Sequence, residues 1–429
     1  MNNGVIYLRA MKALLVSEYW KPKVLGGGEI SAGLMAKSLA ESGVDVSVLT
    51  SYFKGSARYE EAEGVKIYRR LSTGGGSGSI LSNIKRAILF SDSVERELPK
   101  LDKERDFDII HALNITSLVG VSRAKDKLRK PIVAHVNSPT PFCPRGILLK
   151  GDEECGGDCD FSEFFSCLQK FGTVSKMRMP FYLRYNPFTS FLVYGNFKRK
   201  KEALKKFDCF MPISTFMKKM LLSYGISEDK IAVIPNIVET ESFFDVKAEK
   251  HPVPGILYLG PYAEFKGPQI LLWALKDIKS GYFCSLYGSG YFEEKLKNFV
   301  KDNGLAKVKI NPEVPHSKVP DLYRQHDILV FPSLVSEAFG RVAIEAMAAG
   351  KPVVASSIGG VTDIVEDAKT GFLVKPGDIE GLRKALERLI SDEKLRENMG
   401  REGRKSVEER YNADAITKKI LKIYAEAVR

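Results

Sequence analysis

The sequence predicts an α/β protein built from two doubly wound parallel sheets. Three observations carry this expectation. Short, almost wholly apolar runs bounded by Gly, Pro, Asn or Asp recur along the chain, helix-length segments separate them, and the alternation restarts once near residues 235–241. Runs that are apolar at successive positions suit strands buried on both faces, which parallel sheets covered by helices provide.

Taken in order, KALLVSEY (12–19) reads as the first strand, and residues 1–10 as an extension before it. After the glycines 26–28, Ile30, Leu34, Ala36, Leu39 and Ala40 recur at helical spacing. DVSVLTS (45–51), GVKIYRR (64–70), DFDIIHAL (106–113) and PIVAHVN (131–137) continue the first series. STGGGSGS (72–79) has the composition of a loop. DCFMPIS (208–214), a helix over TFMKKMLLSYG and a strand over KIAVIPN (230–236) close that series. GILYLG (255–260), YFCSLYG (282–288), KVKINP (307–312), DILVFPS (327–333), PVVASS (352–357) and GFLVKPG (371–377) make the second. The expected division is 1–236, 237–410 and a final helix, 411–429, returning to the first unit.

A chain of 429 residues, 44% hydrophobic and 28% charged, can bury large cores without disulfides. It has no eighteen-residue uncharged apolar run, and its start lacks a signal-peptide pattern, so a cytoplasmic protein is expected. The net charge of +12 is concentrated. Between Gln169 and Lys206 there are ten Lys or Arg against one acid, Glu202, giving +9. Eight aromatics share the stretch, among them Phe181, Tyr182, Tyr185 and Phe188. A local basic-aromatic face suits an anionic membrane surface or a phosphorylated acceptor, not nucleic acid. The alternative is a solvated helix face.

Open sheets bind ligands at the carboxyl ends of their strands. FPSLVSEAFGRVAIEAMAAGKPVVAS (331–356) places a strand end, a loop and a helix start in that order, with Glu337 before the helix and Glu345 one turn inside it. The first amides of a helix hold phosphate. A diphosphate over Phe339, Gly340, Arg341 and Val342 would have a carboxylate on either side, each able to accept from paired hydroxyls. That is the order of parts in a nucleotide sugar. Gly27 and Gly28, after the first strand, permit close backbone approach to a ligand. His135 and His111 lie near strand ends, whereas His251, His316 and His326 show no supporting pattern. Cys143, Cys155, Cys159 and Cys167 cluster in an insertion (143–167), where structural zinc, disulfides and free thiols all fit. No convincing site for a catalytic metal is present.

The sequence resembles the retaining glycosyltransferases of family 4, which have the GT-B fold. The matching pieces are GGGE (26–29), VIPN (233–236), LGPYAEFKG (259–267), the 331–356 stretch and SIGGVTDIVEDAKTGFLVKPGD (357–378). The resemblance implies two Rossmann-like domains facing a cleft, the first choosing a glycan, lipid-linked or small-molecule acceptor and the second binding a UDP-, GDP- or ADP-sugar. It implies that Glu337 contacts the donor sugar, Glu345 the ribose and Lys266 the leaving diphosphate. It also makes His135 a partner for the sugar or reacting centre, while the basic-aromatic stretch leads to the expectation of an enzyme peripheral to the inner membrane face. Pro261 stands where the family carries an arginine that pairs with the diphosphate. A nucleotide-sugar epimerase and a non-catalytic sugar-nucleotide binder share the fold and are the alternatives.

Overall fold

A computed structural model of the protein describes residues 11–24, 26–74, 80–145, 148–150, 153–157, 159–171, 185–247 and 249–429. The expected extension (1–10), most of the Gly-Ser run, and Phe181 and Tyr182 of the basic-aromatic stretch lie outside these residues. The chain divides into two compact units, residues 1–237 with 413–429, and residues 238–412.

The first unit contains β1 (Lys12–Val16), β2 (Asp45–Ser51), β3 (Tyr59–Ala62), β4 (Val65–Leu71), β5 (Ile109–Ala112), β6 (Ile132–Val136) and β9 (Cys209–Pro212). These form one sheet of order β3-β4-β2-β1-β5-β6-β9, parallel except for β3 against β4. A two-residue pair, β7 (Leu149–Lys150) and β8 (Glu153–Glu154), stands apart. Helices α1 (Gly27–Glu41), α2 (Ile80–Arg105), α3 (Ile115–Ala124), α4 (Phe161–Phe171), α5 (Pro187–Leu204) and α6 (Thr215–Ser223) connect or cover the strands. The last helix of the chain, Ala413–Val428, adds Ile416, Ile420 and Tyr424 to the core formed by β1, β2 and α1. Ser38 and Thr417 hydrogen-bond across that contact at 2.8 Å.

In the second unit β10 (Gly255–Leu259), β11 (Phe283–Tyr287), β12 (Val308–Asn311), β13 (Ile328–Phe331), β14 (Val353–Ser356) and β15 (Gly371–Val374) form a wholly parallel sheet. Its order is β12-β11-β10-β13-β14-β15. Both sheets thus run outward in two directions from their first strand, the Rossmann-like order whose crevice lies beside that strand. The helices here are α7 (Glu241–Phe244), α8 (Pro268–Lys276), α9 (Glu293–Asp302), α10 (Val319–Gln325), α11 (Arg341–Ala348), α12 (Ile379–Ser391) and α13 (Glu393–Arg410), and the Ala413–Val428 helix is α14.

Two of the expected strands differ from the sequence reading. Residues 230–236 are not a strand. Ala232 and Ile234 donate to Phe210 and Pro212 of β9, but Pro235 has no amide to continue the ladder. The first strand ends at Val16 rather than Tyr19, because the Ser17 hydroxyl turns back to the Tyr19 carbonyl at 2.9 Å.

Candidate active site

The crevice of the second sheet lies between β10 and β13, and the loops after these two strands, with the helix that follows the second, carry Lys266, Glu337, Phe339, Gly340, Arg341, Val342 and Glu345. Gly267 ends the first loop at φ 72°, where a Cβ would sit 1.8 Å from the Pro332 carbonyl oxygen of the second. Only glycine fits so close an approach. The amide of Leu334 donates to the Phe265 carbonyl at 2.9 Å, locking the two loops together. This brings the Lys266 ammonium 2.5 Å from Oε1 of Glu337, and the Ser333 hydroxyl donates to the same oxygen at 2.8 Å. A third loop supports Glu337 from behind. Gly359, at φ 66°, pairs with its backbone, and the Gly360 amide donates to its carbonyl at 2.6 Å.

Gly340 caps α11 with φ 146°, so the helix opens directly onto this cluster. The first amides of a helix have no intrahelical acceptor, and here they belong to Arg341 and Val342. The Phe339 ring turns inward against Tyr411, so Phe339 can offer a ligand only its backbone. Tyr258, Pro261, Lys266, Glu337, Gly340 and Val342 line a pocket of about 180 Å³. The Tyr258 hydroxyl donates to the Pro261 carbonyl at 2.9 Å; burial, and then the Glu337 carboxylate, raise its pKa.

One turn inside α11, Glu345 is 3% exposed. Its Oε1 lies 2.8 Å from Nε of Arg341 and 2.9 Å from Nε2 of His316. Nη2 of Arg341 is also 3.0 Å from that same His316 nitrogen. A single ring nitrogen cannot donate to the carboxylate and accept from the guanidinium at once, so the tautomer selects which contact is a hydrogen bond. Sequence reading passed over His316. It lies after β12, at the far edge of the sheet, and only the fold of that loop carries it to α11. Arg341, expected over a diphosphate, is engaged with Glu345.

The remaining predicted residues belong to the first unit. Gly27 and Gly28 form the first turn of α1, and burial raises the pKa of the Glu29 carboxyl beside them. His135 is 2% exposed on β6, its ring 5.4 Å from that of His111. Burial lowers its pKa to about 4, against a hydrogen bond with Asn236 that favours the charged form. His111 meets the Tyr424 hydroxyl of α14 at 2.7 Å. A further polar group at the end of β1 escaped the sequence reading. Buried Glu18 accepts from the Thr73 hydroxyl at 2.7 Å and pairs with Arg86 at 3.2 Å.

Cys143, Cys155, Cys159 and Cys167 are free thiols. Burial, and next the thiol of Cys143, push Cys159 up to about 12, with Cys155 and Cys167 contributing. The sulfurs therefore share one neighbourhood, but among the described residues no group of three or more His, Cys, Asp or Glu is arranged to hold a metal ion. Cys167 accepts from Arg145 at 3.1 Å. Among the described residues no helix is long and apolar enough to cross a membrane.

Known proteins match over nearly the whole chain. The profile described as Glycosyltransferase Family 4 matches residues 25–242, and that of Glycosyl transferases group 1 matches residues 239–406. An uncharacterized glycosyltransferase of Methanocaldococcus jannaschii is 27% identical across 97% of this chain and 99% of its own. The D-inositol 3-phosphate glycosyltransferase of Paenarthrobacter aurescens is 33% identical over 43% of this chain and 48% of its own length. Among solved structures, sucrose-phosphate synthase from Thermosynechococcus elongatus superimposes with a TM-score of 0.74 at 20% identity, covering 97% of this chain and 98% of that one. Anabaena HepE in complex with UDP-glucose gives 0.64 at 18% identity, covering 97% of this chain and 100% of that one. The chain belongs to glycosyltransferase family 4, and it is a GT-B glycosyltransferase that uses a nucleotide sugar.

Proposed function

We propose that residues 238–412 bind a UDP-sugar and that the enzyme passes the sugar, with its anomeric configuration retained, to a hydroxyl of a glycan or lipid-linked acceptor held by the first unit. One observation supports this reading above others. The Lys266–Glu337–Ser333 cluster and the Arg341–Glu345–His316 cluster flank the opening amides of α11. A diphosphate at those amides has the helix dipole behind it and Lys266 beside it. Glu337 then meets the sugar hydroxyls and Glu345 the ribose diol. UDP is chosen because the structurally similar HepE is solved with UDP-glucose.

In the proposed reaction the acceptor oxygen bonds to the anomeric carbon on the face that the diphosphate leaves. The bond from that carbon to the diphosphate oxygen breaks, and the acceptor proton passes to the departing diphosphate. Lys266 and the helix amides stabilise the charge developing on that group, in a site organised before the reaction starts. Glu18 after β1, its partner Arg86 on α2, and His135 near the end of β6 are the residues available to orient an acceptor or the transferred sugar. The enzyme works at the inner face of the membrane.

The reading is tested by thermal shift with UDP-, GDP- and ADP-sugars at saturating concentration. Only a donor that binds the folded protein raises its melting temperature. A UDP-sugar is expected to stabilise, and Glu345→Ala to abolish the shift. Equal stabilisation of the wild type and this variant would overturn the assignment.

A further inference from the structure

A groove of about 590 Å³ lies in the first unit, bounded by α2, α3 and α5. Its volume lies in the range of ligand pockets. The floor is aliphatic: Ala87 and Ile88 from α2, Ile115 and Val119 from α3, and Ala203 from α5. Among the described residues no aromatic lines it, and these offer no face on which a base or sugar ring would stack.

The rim is cationic. Arg123 and Lys206 are already paired, the former with Asp92 and Glu95 and the latter with Asp126. Lys198 lies over the Tyr194 ring. Among the described residues Arg199 and Lys200 have no ion-pair partner, and burial lowers the pKa of Lys200 to about 8. An anion placed beside this lysine would favour its charged form and raise its pKa again.

The helix that borders the groove also carries a track that ends at it, since Arg199 lines the groove. Phe188, Phe191, Gly195 and Arg199 recur at intervals of three and four residues, hence along one face of α5. Phe188 and Phe191 are 70% and 62% exposed. The track is roughly 16 Å long at the helical rise. An aliphatic trough, two free cations at its mouth and exposed aromatics beside it match a molecule with a hydrocarbon chain and an anionic head.

We infer that the α2–α3–α5 groove is a binding site for a lipid carrying a phosphate headgroup, with the phosphate at Arg199 and Lys200 and the chain over Ile88, Ile115 and Val119. Such a site would hold the enzyme to a phospholipid or receive a lipid-linked phosphate. It lies wholly outside the donor unit, so it stands or falls separately from the donor assignment.

Calorimetric titration of the full chain with water-soluble dihexanoyl phosphatidic acid tests this, with dihexanoyl phosphatidylcholine and inorganic phosphate as the other arms. Phosphatidic acid is expected to bind, and neither comparison ligand to bind or compete at about tenfold higher concentration. Arg199→Ala with Lys200→Ala should weaken binding about tenfold or more, which corresponds to about 1.4 kcal/mol. Val119→Trp should remove binding by filling the trough. If that variant does not fold, the double alanine variant decides the matter, because its side chains lie at the rim. Unchanged affinity in the double variant overturns the proposal. So does equal competition by inorganic phosphate, which would mean a bare anion site, or equal binding of phosphatidylcholine, which would mean an unselective apolar groove. The UDP-sugar thermal shift of the double variant should equal that of wild type.

Discussion

Lys266 and Glu337 stand 71 positions apart and meet at 2.5 Å, joining the loop after β10 to the loop after β13. Both side chains are mostly covered, at 23% and 17% exposed, so the pair is not a loose surface contact. A diphosphate arriving beside Lys266 would share its ammonium with Glu337. Lys266→Ala is therefore expected to lower kcat by about 10²-fold, the scale of losing one oriented charge at a developing anion. Release of UDP with acceptor present measures it. A variant that loses only donor affinity and keeps kcat would contradict a role in turnover.

Glu345 meets two partners, the Arg341 guanidinium and the His316 ring. Glu345→Gln would leave Arg341 and His316 without their shared carboxylate inside a covered site, and a stability loss of about 2 kcal/mol is expected in urea unfolding. His316→Ala should cost far less stability, since its side chain is 40% exposed. It should still raise the donor KM, because one of the groups orienting Glu345 is gone. A His316→Ala enzyme with wild-type KM and kcat would remove the histidine from the site.

Glycines 267 and 359 hold the three site loops in contact. Adding a Cβ to Gly359 would bring it 2.4 Å from the Glu337 carbonyl oxygen, and at Gly267 it would lie 1.8 Å from that of Pro332. Both obstacles are backbone atoms and both glycines have positive φ, so no side-chain shift relieves the clash. Gly267→Ala and Gly359→Ala are each expected to destabilise by about 2–4 kcal/mol, with activity falling because Lys266 or Glu337 moves. Gly225, also at positive φ but with nothing within 4 Å, is the control: its alanine variant should lose about 1 kcal/mol and keep its activity.

Much of this architecture was legible because buried parallel strands leave an unmistakable trace: IIHA, IVAHV and ILVF have no polar face apart from a single histidine in each of the first two. The loops after strands were legible too, since glycines and charged residues crowd there. Tyr59–Ala62 was not, because YEEA is an exposed antiparallel edge whose burial pattern imposes no apolar signature. Ser333 and His316 were hidden for another reason. Each is an ordinary loop residue until tertiary contacts carry it to a carboxylate, and neither local propensity nor spacing encodes that meeting. Arg341 shows the reverse case. Its position at a helix start suggested phosphate, but a partner four residues on, a favoured helical ion-pair spacing, holds it.

His135 links the first unit's stability to pH. Its pKa falls from 6.5 to about 4 in the folded chain because burial disfavours the imidazolium, and His111 is lowered in the same direction by burial and then by His135. Below pH 6.5 the unfolded chain binds protons that the folded chain does not, so stability is full above that value and declines as pH falls toward 4. At pH 5 the loss from His135 alone is about 2 kcal/mol, taking 1.36 kcal/mol for each unit between 6.5 and 5. His111 adds to it. Urea unfolding at pH 7.5 and pH 5.0, staying above the carboxylate range, should show this decline in the wild type. His135→Gln, which has no proton to gain, should flatten it by about that amount. A wild type equally stable at both values would mean that the imidazole is protonated in the folded protein. In that case the hydrogen bond to Asn236, which favours the charged ring, outweighs the burial that opposes it.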